Sequence, residues 1–308
     1  MSAFVRTRPA RPVQSMINGI ARWAGKDALT ALQDIKADWA PVMEPVMRPN
    51  GQAIENKMSV INPVADKVLG ITSTNYGGMH NRLLVDGIDK MSQALGLPYQ
   101  ISRADMFGDG ESVRLEAILG DAINLGDADT VYKVVSAHQG HGGSHPFSLT
   151  VEFKRLVCSN GLMVKVPGLS TAFRCKHTQN GAARVEWNFS LVQKSFEAAT
   201  GDIEKAFRLF SEKRMNQTEA MQFFRDYAVN LGHKDAKLEQ TVSDLLTTYA
   251  NPRQEIAGNT LWRAFNTLTE WNQHTGYRTD EAMLLDNISG AAAKAKQDAF
   301  QFALAVAA

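Results

Sequence analysis

The sequence predicts an α+β fold: an antiparallel β-meander with an early helix, followed by a helical C-terminal half. Three observations carry this reading. Between residues 99 and 191, apolar residues recur with period two in short runs that no helical stretch separates. Runs of that kind bury one face each and pair as a meander. Near residue 192 the apolar period changes from two to about 3.6, the helical repeat. Ahead of both, Leu84, Ile88, Met91 and Leu95 mark one helix, stopped by Gly96 and Pro98.

Taken in order, residues 1–60 read as a basic, partly flexible N-terminal arm, with one helix between Ala28 and Trp39 and prolines at 9, 12, 41, 45 and 49. Residues 61–194 form the sheet region. After a Gly108-Asp109-Gly110 turn, Val113, Leu115 and Leu119 alternate with Arg114, Glu116 and Ile118. Phe147, Leu149, Val151 and Phe153 alternate with Ser148, Thr150, Glu152 and Lys154. Phe173 and Cys175 alternate with Arg174 and Lys176, and Val185, Trp187, Phe189 and Leu191 with Arg184, Glu186, Asn188 and Ser190. Residues 195–308 form a helical region packing on the sheet. Its apolar stripes are Ile203-Ala206-Phe207-Phe210, Met221-Phe224-Ala228-Leu231, Leu238-Val242-Leu245-Tyr249 and Leu261-Ala264-Phe265-Leu268-Trp271, with an Ala-rich helix from Asp280 onward.

Composition narrows the class. Of 308 residues, 44% are hydrophobic and 21% charged, which is globular and not disordered. Two cysteines in a chain of this length argue for a reducing compartment, the cytoplasm of a cell, over a secreted disulfide scaffold. No apolar run approaches the roughly 20 residues that span a bilayer. The first 26 residues hold Arg6, Arg8, Arg11, Arg22 and Lys26 and no acid, and they read as an arm whose removal leaves folding intact.

Charge is unevenly placed. The chain is +1 overall, yet residues 131–194 carry 8 basic groups against only Glu152 and Glu186. Such a segment can focus positive potential on a polyanion, or it can be a solvated strand surface neutralised by neighbouring helices. Arg174, Lys176 and Arg184, with Lys154, fall at alternate, polar-facing positions, and Lys133 and Arg155 lie close by. If these strands pair, six cations gather as candidate nucleic-acid contacts, giving sequence-independent affinity for phosphates. Tyr132, Phe147, Phe153, Phe173, Trp187 and Phe189 are interleaved with them. Most alternate onto the apolar side, so core packing competes with base stacking for these rings.

The other constellations are weaker. His138, His141 and His145 lie in H-Q-G-H-G-G-S-H, with Cys158, Cys175 and His177 downstream, but there is no CxxC pair. A Gly-rich hairpin loop explains them, and no metal is expected. Cys158 reads as a small buried residue and Asn160-Gly161 as a tight turn. Asp105, Asp109 and Glu111 miss the calcium-loop spacing. Gly19 to Lys26 misses the phosphate-loop pattern by one residue and lacks the following Ser or Thr. No cofactor and no catalytic residue is expected.

Four segments resemble, in order, the phage/plasmid-like family built on domain of unknown function 932: V-L-G-I-T-S-T-N-Y-G-G-M-H-N from Val68 to Asn81, F-G-D-G-E-S-V-R-L-E-A from Phe107 to Ala117, R-L-V-C-S-N-G-L from Arg155 to Leu162, and N-T-L-W-R-A-F-N-T-L-T-E-W from Asn259 to Trp271. The resemblance covers roughly residues 60–275 and implies a gene of a phage, prophage or plasmid, with no activity attached. Together with the basic segment it leads to the expectation of a non-catalytic nucleic-acid-binding protein, with single-stranded DNA favoured and a role such as recombination mediator. The alternative is a protein-interaction factor that binds and redirects a host protein. Self-association is left open, and no membrane partner is expected.

Overall fold

In the computed structural model, the residues described are 21–125, 129–143, 145–155, 164–165, 174–178, 189–252, 256, 258–274 and 290–307. They are α+β, with antiparallel sheets in the N-terminal half and helices in the C-terminal half. Helix α1 (Ala28–Asp34) starts at Asp27, whose carboxylate accepts from the Thr30 amide at 2.7 Å. A three-stranded antiparallel sheet follows, in the order β1 (Val42–Met47), β2 (Ala53–Asn62), β3 (Lys67–Thr72). Helix α2 (Arg82–Leu95) comes next and ends, as its sequence predicts, on Gly96 in the left-handed conformation.

The larger sheet is seven-stranded. Its path runs β10 (Arg174–Cys175), β8 (Phe147–Arg155), β7 (Thr130–Gly140), β5 (Ser112–Leu119), β4 (Tyr99–Phe107), while β6 (Ile123–Asn124) pairs β7 and β9 (Val164–Lys165) pairs β8. The predicted turn at Gly108–Gly110 is a short 3-10 helix linking β4 to β5. Register aligns Leu115, Ala137 and Leu149 in one cross-strand row and Ala117, Val135 and Val151 in the next. These rows are fully or almost fully buried, in one core with Leu84, Ile88 and Met91 of α2. One face of the meander is thus closed by helices, as period-two patterning requires.

The C-terminal half consists of α3 (Phe189–Glu212), α4 (Gln217–Asn230), α5 (Asp235–Ala250), α6 (Leu261–His274) and α7 (Ala291–Ala307). Phe207 is the hub, with ring contacts to Phe153 of the sheet, Phe210, Trp262, Phe265 and Phe300 at 5.1–6.5 Å. Edge-to-face and offset ring pairs of this kind add to the area they bury. Helix α4 opens with a capping box in which Asn216 and Glu219 exchange side-chain bonds with each other's amides. Among the described residues, no helix is long and apolar enough to cross a membrane.

Three expectations need correction. The stretch read as an arm up to residue 60 contains β1 and most of β2. Pro45 lies on β1, an edge strand, where a missing amide costs no ladder bond. Trp23 is only 2% exposed and packs in the core, so a deletion through residue 26 removes a structural side chain. Phe189 and Leu191 belong to α3 and not to a strand. Phe189, Val192 and Phe196 also repeat at helical spacing, and a window this short fits both periods.

Candidate functional site

The two sheets meet around a buried cluster of uncharged polar and aromatic groups. Asn81 precedes α2, Trp39 follows α1, Tyr76 lies beyond β3, Gln139 is near the end of β7, His141 is just past it, and His177 is just past β10. The Tyr76 ring stacks on His177 at 5.3 Å and 6° between planes. His141 lies 4.9 Å from Trp39 and 5.9 Å from His177. Asn81 Oδ1 takes two contacts, from Gln139 Nε2 and, at 2.9 Å, from His141 Nε2. Backbone closes the cluster: Asn81 N donates to Trp39 O at 3.1 Å and Gly77 N to His177 O at 3.4 Å.

Beside this cluster, Ser112 Oγ and His138 Nε2 are 2.6 Å apart, and the His138 ring faces His145 at 5.3 Å. The hairpin-loop reading holds for His141 and His145, which lie between β7 and β8, whereas His138 lies inside β7, and His138 and His141 are both buried. Burial pushes their imidazoles down to about 3 each, and that of His177 to about 4. Burial pushes the Tyr76 phenol up to about 12. At neutral pH these groups are uncharged, so the cluster offers hydrogen bonds and ring faces without net charge. Among the described residues, Asn81 Nδ2 and Gln139 Oε1 find no hydrogen-bond partner although both residues are fully buried. Among the described residues, no group of three His, Cys, Asp or Glu side chains is placed to hold a metal ion.

The six candidate cations do not share one surface. Lys154 is on the face of the sheet opposite the helices, but it is buried between Glu116 and Glu152, with Glu152 Oε2 at 3.3 Å. Burial lowers the pKa of its ammonium. Arg114 pairs with the same Glu116, and the Ser136 hydroxyl lies 3.3–3.4 Å from both carboxylates. Arg155 faces the helices, 1% exposed, paired with Asp129, which also takes the indole N–H of Trp262. Lys154, read as polar-facing, is therefore interior, and Arg155, read as lying close by, is buried on the opposite face. Alternation identified the two faces of the strand, but the polar face proved to be interior.

Lys133 lies on the helix-facing side and is half-buried. Arg174 and Lys176 are exposed, at and just beyond the edge strand β10. Burial lowers the pKa of the His145 imidazole, and the nearby Arg174 charge adds to that. Arg184 lies outside the described residues, as do Phe173, Trp187, Cys158 and Asn160-Gly161. Sequence reasoning missed Trp39, Gln139, Ser112, Asp129 and Glu116 as members of buried polar networks. For Ser112 and Glu116 the signal was their place within a resembling segment.

The resembling segments meet in two pairs: β3 of the first packs on the 108–110 turn of the second, and Arg155 of the third meets Trp262 of the fourth through Asp129. Val68 to Asn81 supplies β3, Tyr76 and Asn81, Phe107 to Ala117 supplies Ser112 and Glu116, and Asn259 to Trp271 supplies Trp262. No curated protein and no solved structure matches the chain. A family model does, over residues 68–299 of the 308. The chain therefore belongs to the family described as Domain of unknown function (DUF932).

Proposed function

We propose that the chain is a non-catalytic nucleic-acid-binding protein of a phage or plasmid that acts in the host cytoplasm and favours single-stranded DNA. One observation carries this reading. Arg174 and Lys176 are both exposed on a sheet edge, at and just beyond β10. Exposed cations on one edge supply sequence-tolerant contacts to the phosphates of a single strand. Lys154 and Arg155 drop out as phosphate contacts because their charges are spent on internal carboxylates. Electrophoretic mobility shifts at several salt concentrations test the reading. Replacing Arg174 and Lys176 by Gln should weaken binding and lower the slope of log affinity against log salt by roughly 1.4, about 0.7 per single-strand phosphate contact. No binding by the wild type at low salt, or an unchanged slope in the variant, would sink it.

The second reading is a protein-interaction factor, favoured by the outer face of the small sheet. Val42, Ile61 and Val68 form a cross-strand row there, with Val42 and Val68 exposed, as is Ile71 on the same strand as Val68. Exposed apolar patches of this kind mark contact surfaces.

A further inference from the structure

A groove of about 760 Å³ runs between α4 and α5 and ends against α6. That size suits a small organic ligand or one side chain with its flanks. Ala220, Val242 and Leu246 supply an apolar lining, and Met221, 42% exposed, adds a flexible thioether. Arg225 and Glu239 also line it, but they satisfy each other through two bonds of 2.8 and 2.9 Å.

Arg263 differs from Arg225. Its guanidinium lies over the Tyr249 ring at 4.6 Å, and Nη2 donates to Tyr249 O at 2.8 Å. Among the described residues, Nη1 reaches only Asn259 Oδ1, at a long 3.5 Å, and Nε has no acceptor. Among the described residues no carboxylate pairs with it. A half-buried guanidinium has five donors and prefers planar, two-oxygen acceptors. Here it lines a groove of mixed polar and apolar lining, its Nε buried and its Nη groups without a carboxylate among the described residues.

We infer that the α4–α5 groove binds a carboxylate attached to an apolar body, with the carboxylate on Arg263 and the apolar part on Ala220, Met221, Val242 and Leu246. Two sources share this chemistry: a free organic acid, and the C-terminal carboxylate of a peptide ending in an apolar residue. The inference is independent of the nucleic-acid reading.

The test uses full-length protein with ¹³C-labelled methionine methyls, followed by NMR. The probes are 4-phenylbutyrate, the isosteric 4-phenylbutylamine, a short peptide ending in a free-carboxylate Phe, and the same peptide as its amide. Saturable shifts of the Met221 methyl are expected with the acid and the free-carboxylate peptide, and at least tenfold weaker ones with the amine and the amide. The tighter of the two carboxylates identifies the source. Arg263→Gln should abolish the preference for carboxylate. Because Arg263 also bonds the end of α5, Met221→Glu provides a second variant at an exposed position, with affinity for the acid expected to fall at least tenfold. Equal binding of acid and amine, no shift with any probe, or unchanged affinity in Met221→Glu would overturn the inference.

Discussion

At the scale of single residues, buried imidazoles make the protein sensitive to acid. His138, His141 and His177 have pKa values of about 3, 3 and 4 in the folded state, against an ordinary value of 6.5. Between those limits the unfolded chain binds more protons than the folded one, so stability must rise with pH through the window and fall as pH drops below about 6.5. Each such histidine contributes a slope of up to about 1.4 kcal/mol per pH unit. Urea unfolding between pH 5 and 7 should give a slope near three protons at its lower end. His141→Gln should remove about one proton from that slope. A flat profile in the wild type would mean that the imidazoles titrate as they do in water.

At the scale of elements, one carboxylate joins the sheet to the helices. Asp129 receives Arg155 from β8 and the indole of Trp262 from α6, all three buried. Removing one partner of a buried ion pair costs about 3–5 kcal/mol, because the remaining charge stays desolvated. Asp129→Ala should therefore lower stability by about that much in denaturant titration, whereas Arg174→Gln at the exposed edge should stay within about 0.5 kcal/mol. Equal effects would contradict the burial of Arg155. The pair also shows what was legible beforehand. Strands β5 and β8, helix α2 and helices α4 to α6 could be read because each buries a long apolar stripe whose period leaves one solution. Strand β1 was hidden by Pro45, which an edge position tolerates, and the start of α3 by a seven-residue pattern that fits both periods. The site was less legible still. Alternation locates Lys154 and Arg155 on opposite faces, but it cannot say that Glu116, Glu152 and Asp129, up to 38 residues away, neutralise them inside the protein.

At the scale of the whole molecule, the question is whether the small sheet folds with the large one. Their junction is backbone against backbone. A Cβ on Gly70 of β3 would come 2.8 Å from Gly142 Cα, and a Cβ on Gly142 would come 2.6 Å from Leu69 O. The approach is also held by Asn62 Nδ2 of β2, which donates to Asp109 O at 2.7 Å. The two glycines are not equivalent. Gly142 has φ +72°, so an added side chain there suffers both the left-handed backbone and the clash, while at Gly70 only the clash applies. Gly70→Ala should cost about 1–3 kcal/mol from overpacking, and Gly142→Ala about 1–2 kcal/mol more from the backbone. If the sheets form one cooperative unit, both variants should still unfold in a single transition, with hydrogen-exchange protection falling together in β2, β5 and β7. Protection lost from β2 and β3 while β5 and β7 keep theirs would instead show the small sheet opening alone, leaving the Trp39–Tyr76–Asn81 side of the buried cluster separable from its histidine side.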